Sequence, residues 1–170
     1  EIRAAQLPDD LRFSFKVTEE ITTKQFTRLP RYGSRAGQLN ANFLNATLFQ
    51  SAFLGPLRAV REKVSVLIFE FSHFYKKDFE RGRDFIAALD TFLSQLPSDW
   101  QYGVEIRNES FLHHDYFAVL AKHGVAHIYN QWQRMPPVSA QLQLDDSFTT
   151  SFTGARFLLT PGRKYQEAVD

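Results

Sequence analysis

The sequence predicts an α/β fold in which parallel strands alternate with helices. Apolar runs of strand length alternate along the chain with amphipathic stretches of helix length, and this order is typical of βαβ units. Aromatic residues make up 15% of the 170 residues, and 17 of them are Phe. Rings of this size need deep apolar faces, which a sheet covered by helices provides. The length is sufficient for a single domain, residues 1–170, with a sizeable core.

Five segments have the pattern of strands. Residues 11–18 alternate polar and apolar side chains, with Phe13, Phe15 and Val17 on one face. Residues 64–71 are almost continuously apolar, as expected for a strand buried on both faces. The remaining predicted strands are residues 102–107, 125–130 and 155–160.

The first connection is predicted to contain a helix over residues 40–53. Phe43, Leu44 and Leu48 lie at helical spacing there. Gly55–Pro56 is expected to end this helix, and Pro56 to open a second short one.

The next two connections also have helical periodicity. Residues 84–96 form the clearest amphipathic helix, which Pro97 is expected to end. A helix through residues 116–121 is expected to end at Gly124, a residue suited to a left-handed cap. The order of elements permits an open doubly wound sheet or a closed barrel. No glycine-rich phosphate motif follows a strand, which weakens the dinucleotide-binding version.

Composition excludes several classes of site. Twenty basic and 19 acidic side chains give a formal net charge of +1, so there is no bulk attraction to nucleic acid or anionic lipid. The absence of Cys excludes disulfides, thiolate catalysis and zinc–cysteine sites, and is compatible with the cytoplasmic location that we predict. No apolar run reaches the roughly 20 residues of a spanning helix, so no membrane association is expected.

The two ends of the sequence have the pattern of interrupted helices. Residues 2–7 are typical of the last turns of a helix, and residues 165–170 of a helix that is beginning. We therefore expect the chain to be a fragment of a larger domain.

The strand motifs together resemble the YecE-like family, domain of unknown function number seventy-two. The resemblance implies an incomplete TIM-type (β/α) barrel in which the chain supplies the third to seventh strands. The first two strands and the last would then be missing from the chain, which would be a fragment of a larger YecE-like barrel. Many members carry Gln in place of Glu70 and Pro in place of Ser72. The motifs are Phe13–Thr18 with Glu20–Thr22, Leu67–Phe71, Val104–Asn108, Gly124–Asn130 with Trp132 and Met135–Pro136, and Arg156–Arg163.

Charged residues at the predicted strand ends are the candidate catalytic residues. Alternate residues of a barrel strand face the interior, and sites form at the strands' carboxyl ends. Glu105 and Arg107 share one face of their strand, while Lys16 and Glu70 end theirs. Glu105 is predicted as general base or ligand, with Arg107 and Lys16 as an anion clamp. The alternative is a buried ion pair that only fixes strand register.

Further residues are predicted to bind substrate at the same face. Glu70, Asn130 and Trp132 would supply contacts from the fourth and sixth barrel strands. The turn containing Arg163 follows the seventh strand, where barrels often bind phosphate. The alternative for this turn is an ordinary connection between strand and helix.

Two other clusters suggest different partners. The loop at residues 28–35 carries three arginines and a tyrosine, a pattern that would track a nucleic-acid backbone, although a solvated loop is the simpler interpretation. The histidines match no metal-ligand spacing, and His127 is expected to face the helices. A metal site is therefore kept as an alternative and is not predicted, and no cofactor is assigned. The histidines considered are His73, His113, His114, His123 and His127, with Glu70, Glu105 and Asp145 as possible co-ligands.

These observations favour an enzyme that binds a small polar or phosphorylated metabolite at the strands' carboxyl ends. The alternatives are a nucleic-acid-binding or processing protein that uses the loop at 28–35, and a non-catalytic scaffold. The fold by itself does not choose a reaction.

Overall fold

The computed structural model describes residues 8–157 and has the predicted α/β architecture. Five parallel strands form one sheet, and each strand pairs with the next one in sequence. The strands are β1 (Phe13–Lys16), β2 (Val64–Glu70), β3 (Tyr102–Glu105), β4 (Ala126–Gln131) and β5 (Gly154–Phe157). The α-helices are α1 (Glu19–Thr22), α2 (Ala46–Leu48), α3 (Gly55–Leu57), α4 (Gly82–Leu93), α5 (His114–Lys122) and α6 (Val138–Gln141). The connections also contain 3-10 helices at Pro30–Arg35, Arg58–Lys63 and Glu109–Phe111.

The sheet curls toward one of its faces. Arg156 on β5 contacts the carboxylate of Glu70 on β2, although β3 and β4 lie between them. In a flat sheet, strands three positions apart are separated by about 14 Å. Contact across that interval requires the strands to bend toward each other, so the sheet is a half-barrel with a concave inner face.

The convex face of the half-barrel holds the aromatic core. On β2, Leu67 and Phe69 are fully buried against the helices. The Phe69 ring meets Phe92 of α4 edge-on at 5.2 Å and Phe49 at 5.1 Å between centroids. The abundance of Phe is therefore explained by one continuous ring-packed layer between sheet and helices.

Helix α4 confirms the predicted amphipathic helix with shifted ends. Its buried stripe contains Phe85, Leu89 and Phe92, as the spacing predicted. The helix begins at Gly82 and ends at Leu93, three residues before the expected end. The residue that precedes a proline disfavours helical dihedrals, which is consistent with the chain leaving the helix before Pro97.

The prediction for residues 40–53 is wrong at both ends. The chain enters α2 only at Ala46, because Leu44 takes a positive φ of 54° and Asn45 caps the helix through its side chain. Gly55–Pro56 does not end the helix, since a π-helical stretch, Phe49–Leu54, leads directly into α3. Pro crowds the carbonyl four residues before it, and the wider π turn, in which the Gly55 N–H bonds the Gln50 carbonyl oxygen, relieves this crowding.

Two glycines fulfil specific geometric needs. Gly124 has a φ of 63° and leads from α5 into β4, as predicted for a left-handed cap. Gly103 lies on the concave face of β3, where an added Cβ would approach the Ile128 side chain to 2.6 Å and Val66 to 3.4 Å. Its missing side chain lets these apolar groups cover the middle of the concave face, directly below the strand ends.

Some predicted features lie outside the described residues. They are residues 2–7, residues 158–160 of the predicted last strand, Arg163 with its turn, and residues 165–170. Within residues 8–157, no helix combines the length and apolar character needed to cross a bilayer.

Candidate functional site

Charged side chains converge on the concave face where the strands end. Glu70 and Glu105 are the last residues of β2 and β3, and they are direct partners in the parallel register. Because side chains alternate along a strand, both carboxylates project from the same face. We call Lys16, Glu70, Glu105, Arg107 and Arg156 the carboxyl-end cluster.

Two guanidinium groups bridge the two carboxylates. Arg107 places Nη2 3.0 Å from Oε1 of Glu70 and Nε 3.5 Å from Oε1 of Glu105. Arg156 donates hydrogen bonds from Nη1 to the second oxygen of each carboxylate. The Lys16 ammonium lies 3.7 Å from Glu70. The predicted residues Lys16, Glu70, Glu105 and Arg107 are thus neighbours.

The two carboxylates differ in their protonation equilibria. Burial favours the neutral form of Glu70, but the hydrogen bond from Arg156 and the charges of Arg107, Arg156 and Lys16 outweigh it and hold its pKa below the usual value. Glu105 is completely buried, and this burial raises its pKa despite the neighbouring guanidinium groups. Environments that push two carboxyl pKa values apart are typical of acid–base sites.

Some polar atoms of the cluster have no hydrogen-bond partner in residues 8–157. Oε1 of Glu105 and Nε of Arg107 are buried and form an ion pair without hydrogen-bond geometry. Oδ1 of the fully buried Asn130 is also unpartnered. Such atoms are rare in folded proteins, because each costs free energy.

Asn130 links the cluster to the neighbouring strand end. Its side-chain amide donates to the Ile106 carbonyl oxygen at 3.0 Å. Gln141 of α6 fixes the Asn130 backbone by donating to its carbonyl oxygen at 2.7 Å. Asn130 is therefore held beside Ile106, the residue between Glu105 and Arg107 just after the end of β3.

Aromatic side chains border the cluster. The Arg107 guanidinium lies 5.4 Å from the centre of the half-buried Trp132 ring, a cation–π contact. The ring of His73 continues this border. Its centroid lies 6.3 Å from that of Trp132, and the two ring planes are inclined by 21°. Trp132 is thus placed beside the cluster, and its role in binding substrate stays a prediction.

Sequence reasoning missed two residues of this site. For Arg156 the sequence indicates only a place in a strand motif, although the two-residue period puts it on the same face as Gly154 and opposite Phe157. His73 was considered only as a metal ligand. Its Nδ1 lies 2.8 Å from the Arg107 carbonyl oxygen, a contact between two strand-end loops that no local pattern indicates.

The loop at residues 28–35 makes ion pairs with helix α1. Arg31 contacts Glu19 at 3.1 Å, and Arg35 contacts Glu20 at 2.7 Å. These carboxylates partly neutralise the basic cluster that suggested nucleic-acid binding. The loop therefore presents a mixed surface rather than a purely cationic one.

The histidines do not assemble into a metal site in the part of the chain that the structure describes, where no three His, Asp or Glu side chains group together. His127 is buried against Tyr116 and Phe117 of α5, which confirms that it faces the helices. Burial lowers its pKa to about 4, so it is neutral in the core.

The comparisons with known proteins agree with this architecture. A family model described as "Protein of unknown function DUF72" matches residues 3–169. A solved structure of a DUF72 family protein from Thermotoga maritima superimposes with a TM-score of 0.55 at 17% sequence identity. The match covers 90% of this chain and 51% of the Thermotoga chain, so this chain spans about half the length of that relative. A comparison with curated proteins finds no match.

Proposed function

The chain belongs to the DUF72 family of proteins of unknown function, and we propose its function from the chemistry of the carboxyl-end cluster. The cluster binds the anionic group of a small metabolite, such as a phosphate ester. Glu105 then exchanges a proton with the bound compound as general base, or contacts it as a ligand.

The charge balance of the cluster carries this proposal. Lys16, Arg107 and Arg156 surround the carboxylates of Glu70 and Glu105. Lys16 also lies 3.9 Å from Glu19, but that carboxylate is paired with Arg31, so a formal excess of one positive charge remains. The raised pKa of Glu105 favours its neutral form, and the positive excess is larger when this carboxyl group is protonated. A concentration of cations around a partly buried site favours an anionic ligand, because nearby opposite charge is attracted strongly where water is excluded.

The same geometry favours an anion over a divalent cation. The guanidinium groups of Arg107 and Arg156 take the position between Glu70 and Glu105 that a metal ion would need. A metal would have to displace both, and it would add positive charge to a cluster that already has an excess.

The half-barrel itself fits within a TIM-type barrel whose remaining strands are supplied by chain outside residues 1–170. The relative from Thermotoga maritima is about twice as long as the matched region, which supports this interpretation. Barrel enzymes place their sites at the carboxyl ends of strands, where this cluster lies.

Isothermal titration with inorganic phosphate tests the proposal without knowledge of the natural substrate. Binding is expected, and it should weaken at least about tenfold in Arg107→Met, since a charge-assisted contact is removed while the aliphatic stem is kept. The control is Arg81→Met, on a surface residue paired with Asp84. Absence of phosphate binding to the wild type, or equal loss in both variants, would contradict the proposed site.

Proton linkage tests the role of Glu105. A bound anion disfavours the ionised carboxylate, so binding of sulfate, an anion that does not titrate near neutral pH, should be accompanied by proton uptake at and above the raised pKa of Glu105. Titrations in two buffers of different ionisation enthalpy measure this uptake. It should disappear in Glu105→Gln. Uptake that persists in this variant would assign the proton to another group.

A further inference from the structure

His73 lies at the edge of the carboxyl-end cluster and takes no part in the proposed proton exchange. It is half-buried in the loop that follows β2. Its ring meets Tyr75 edge-on at 4.9 Å, and it lies nearly parallel to Trp132. The histidine is therefore a polar ring within an aromatic border.

The hydrogen bond of His73 fixes the position of its proton. Nδ1 lies 2.8 Å from the carbonyl oxygen of Arg107, and a carbonyl oxygen can only accept a hydrogen bond. Nδ1 must therefore carry the hydrogen. In the neutral ring, Nε2 is then left with a free lone pair and acts as an acceptor.

Nε2 is accessible to a ligand. It has no hydrogen-bond partner within residues 8–157, and it is not among the buried unpartnered atoms of that region. His73 also lines a cleft of about 200 Å³ between the loops after β1 and β2, together with Thr22, Thr23 and Tyr32. An accessible acceptor thus lies between the cationic cluster and a cleft that contains hydroxyl groups.

From this arrangement we propose that Nε2 of His73 accepts a hydrogen bond from a hydroxyl group of the ligand. The ligand class would be a hydroxyl-bearing phosphate such as a sugar phosphate. Its anionic group is held by Arg107 and Lys16, and its hydroxylated body lies along His73 and Trp132. A sugar suits this border, because its C–H face packs on an aromatic ring while its hydroxyl groups reach polar atoms. The inference rests on the proposed function and names its substrate class.

Two substitutions separate ligand contact from loop positioning. His73→Asn keeps an amide N–H close to the position of Nδ1, and so keeps the bond to Arg107, but it removes the group at Nε2. His73→Gln places its amide near Nε2 and gives up the bond to Arg107. The control is His114→Asn, since His114 is exposed and pairs with Asp146 away from the cluster.

The test compares inorganic phosphate with glucose 6-phosphate and ribose 5-phosphate by isothermal titration. At least one sugar phosphate is expected to bind about tenfold more tightly than phosphate, the gain of one well-placed hydrogen bond with ring contact. His73→Asn should remove this gain and leave phosphate affinity within about twofold, and His73→Gln should recover part of the gain relative to phosphate. His114→Asn should behave as the wild type.

The outcomes distinguish the two proposals. If phosphate itself does not bind the wild type, the proposed function and this inference both fail. If phosphate binds but neither sugar phosphate gains affinity, or the gain survives in His73→Asn, only the role of His73 is wrong. Equal losses of phosphate and sugar-phosphate affinity in His73→Gln, with both affinities unchanged in His73→Asn, would show that the residue only positions Arg107.

A measurement on the unmodified protein gives an independent check. Long-range ¹H–¹⁵N correlation spectra distinguish protonated from unprotonated ring nitrogens, and His73→Asn assigns the signal. The neutral ring of His73 should be protonated at Nδ1 and unprotonated at Nε2. The opposite tautomer would overturn the inference.

Discussion

The molecule contains two clusters of arginine and glutamate that have similar composition and different surroundings. In the loop cluster, Arg31 and Arg35 pair with Glu19 and Glu20, and the side chains are 31–61% exposed. In the carboxyl-end cluster, Glu70 and Glu105 are 10% and 0% exposed, and the arginines that bridge them are 16% and 31% exposed. Water screens the first set and is largely excluded from the second. Only the buried set is therefore expected to influence stability and ligand binding strongly.

Removal of one cation from each cluster should give the largest contrast. Arg156→Met leaves two neighbouring buried carboxylates with fewer cations, and it should cost about 3 kcal/mol of unfolding free energy, as for other broken buried pairs. Arg35→Met removes one exposed pair and a stacking contact with Phe26, and should cost about 1 kcal/mol or less. Urea denaturation of both variants measures the two values.

Equal losses of unfolding free energy in the two variants would mean that water reaches the carboxyl-end cluster to the same extent as the loop cluster. Each substitution keeps an unbranched side chain of similar length, so lost packing contributes little to the difference. The comparison then reports mainly on charge.

The pH dependence of stability should separate the two buried carboxylates. The raised pKa of Glu105 means that its contribution is fully present below the unfolded value near 4.5 and is lost as the pH rises through the folded pKa. The lowered pKa of Glu70 means that its contribution is present above 4.5 and is lost as the pH falls through the folded pKa.

Stability measured against pH for Glu105→Gln and Glu70→Gln checks these signs. The advantage of the wild type over Glu70→Gln should grow as the pH rises from 3 toward about 5. Its advantage over Glu105→Gln should shrink over the range above about 4.5. Curves that shift in the same direction would show that the two carboxylates share one environment.

The sequence contained enough information for the strands and for part of the site. Period-two alternation identified β1, where Phe13 and Phe15 are half-buried on one face, and an apolar run identified β2, which buries Leu67 and Phe69. The same alternation placed Glu105 and Arg107 together, since the inner face of one strand is a local property.

What the sequence did not reveal depends on contacts between distant segments. The approach of Arg156 to Glu70 requires the sheet to curl, and a strand pattern does not specify curvature. The bond between His73 and Arg107 joins two loops that are 34 residues apart. The helix boundary at Leu44 depends on a positive φ in a residue that ordinarily avoids it, and propensity argues against such a conformation.

Salt should affect the two clusters unequally. The Debye length falls from about 10 Å at 0.1 M salt to about 3 Å at 1 M, and screening acts mainly on exposed pairs. The cost of Arg35→Met should therefore fall by roughly half or more in 1 M NaCl, whereas the cost of Arg156→Met should change little. Urea denaturation at both salt concentrations measures this. A large effect of salt on the cost of Arg156→Met would mean that the carboxylates paired with Arg156 are exposed to solvent.

Lys16 connects the two clusters and should give the smallest effect on stability. Its ammonium lies 3.7 Å from Glu70 and 3.9 Å from Glu19, and its side chain is 44% exposed. Exposed pairs of this length contribute little, so Lys16→Met should lower the unfolding free energy by about 0.5 kcal/mol. Phosphate affinity should fall about three- to tenfold, because loss of Lys16 removes the excess positive charge that attracts the anion. If stability and affinity fell in proportion, Lys16 would serve the fold alone; a loss of affinity without a matching loss of stability would assign it to the anion site.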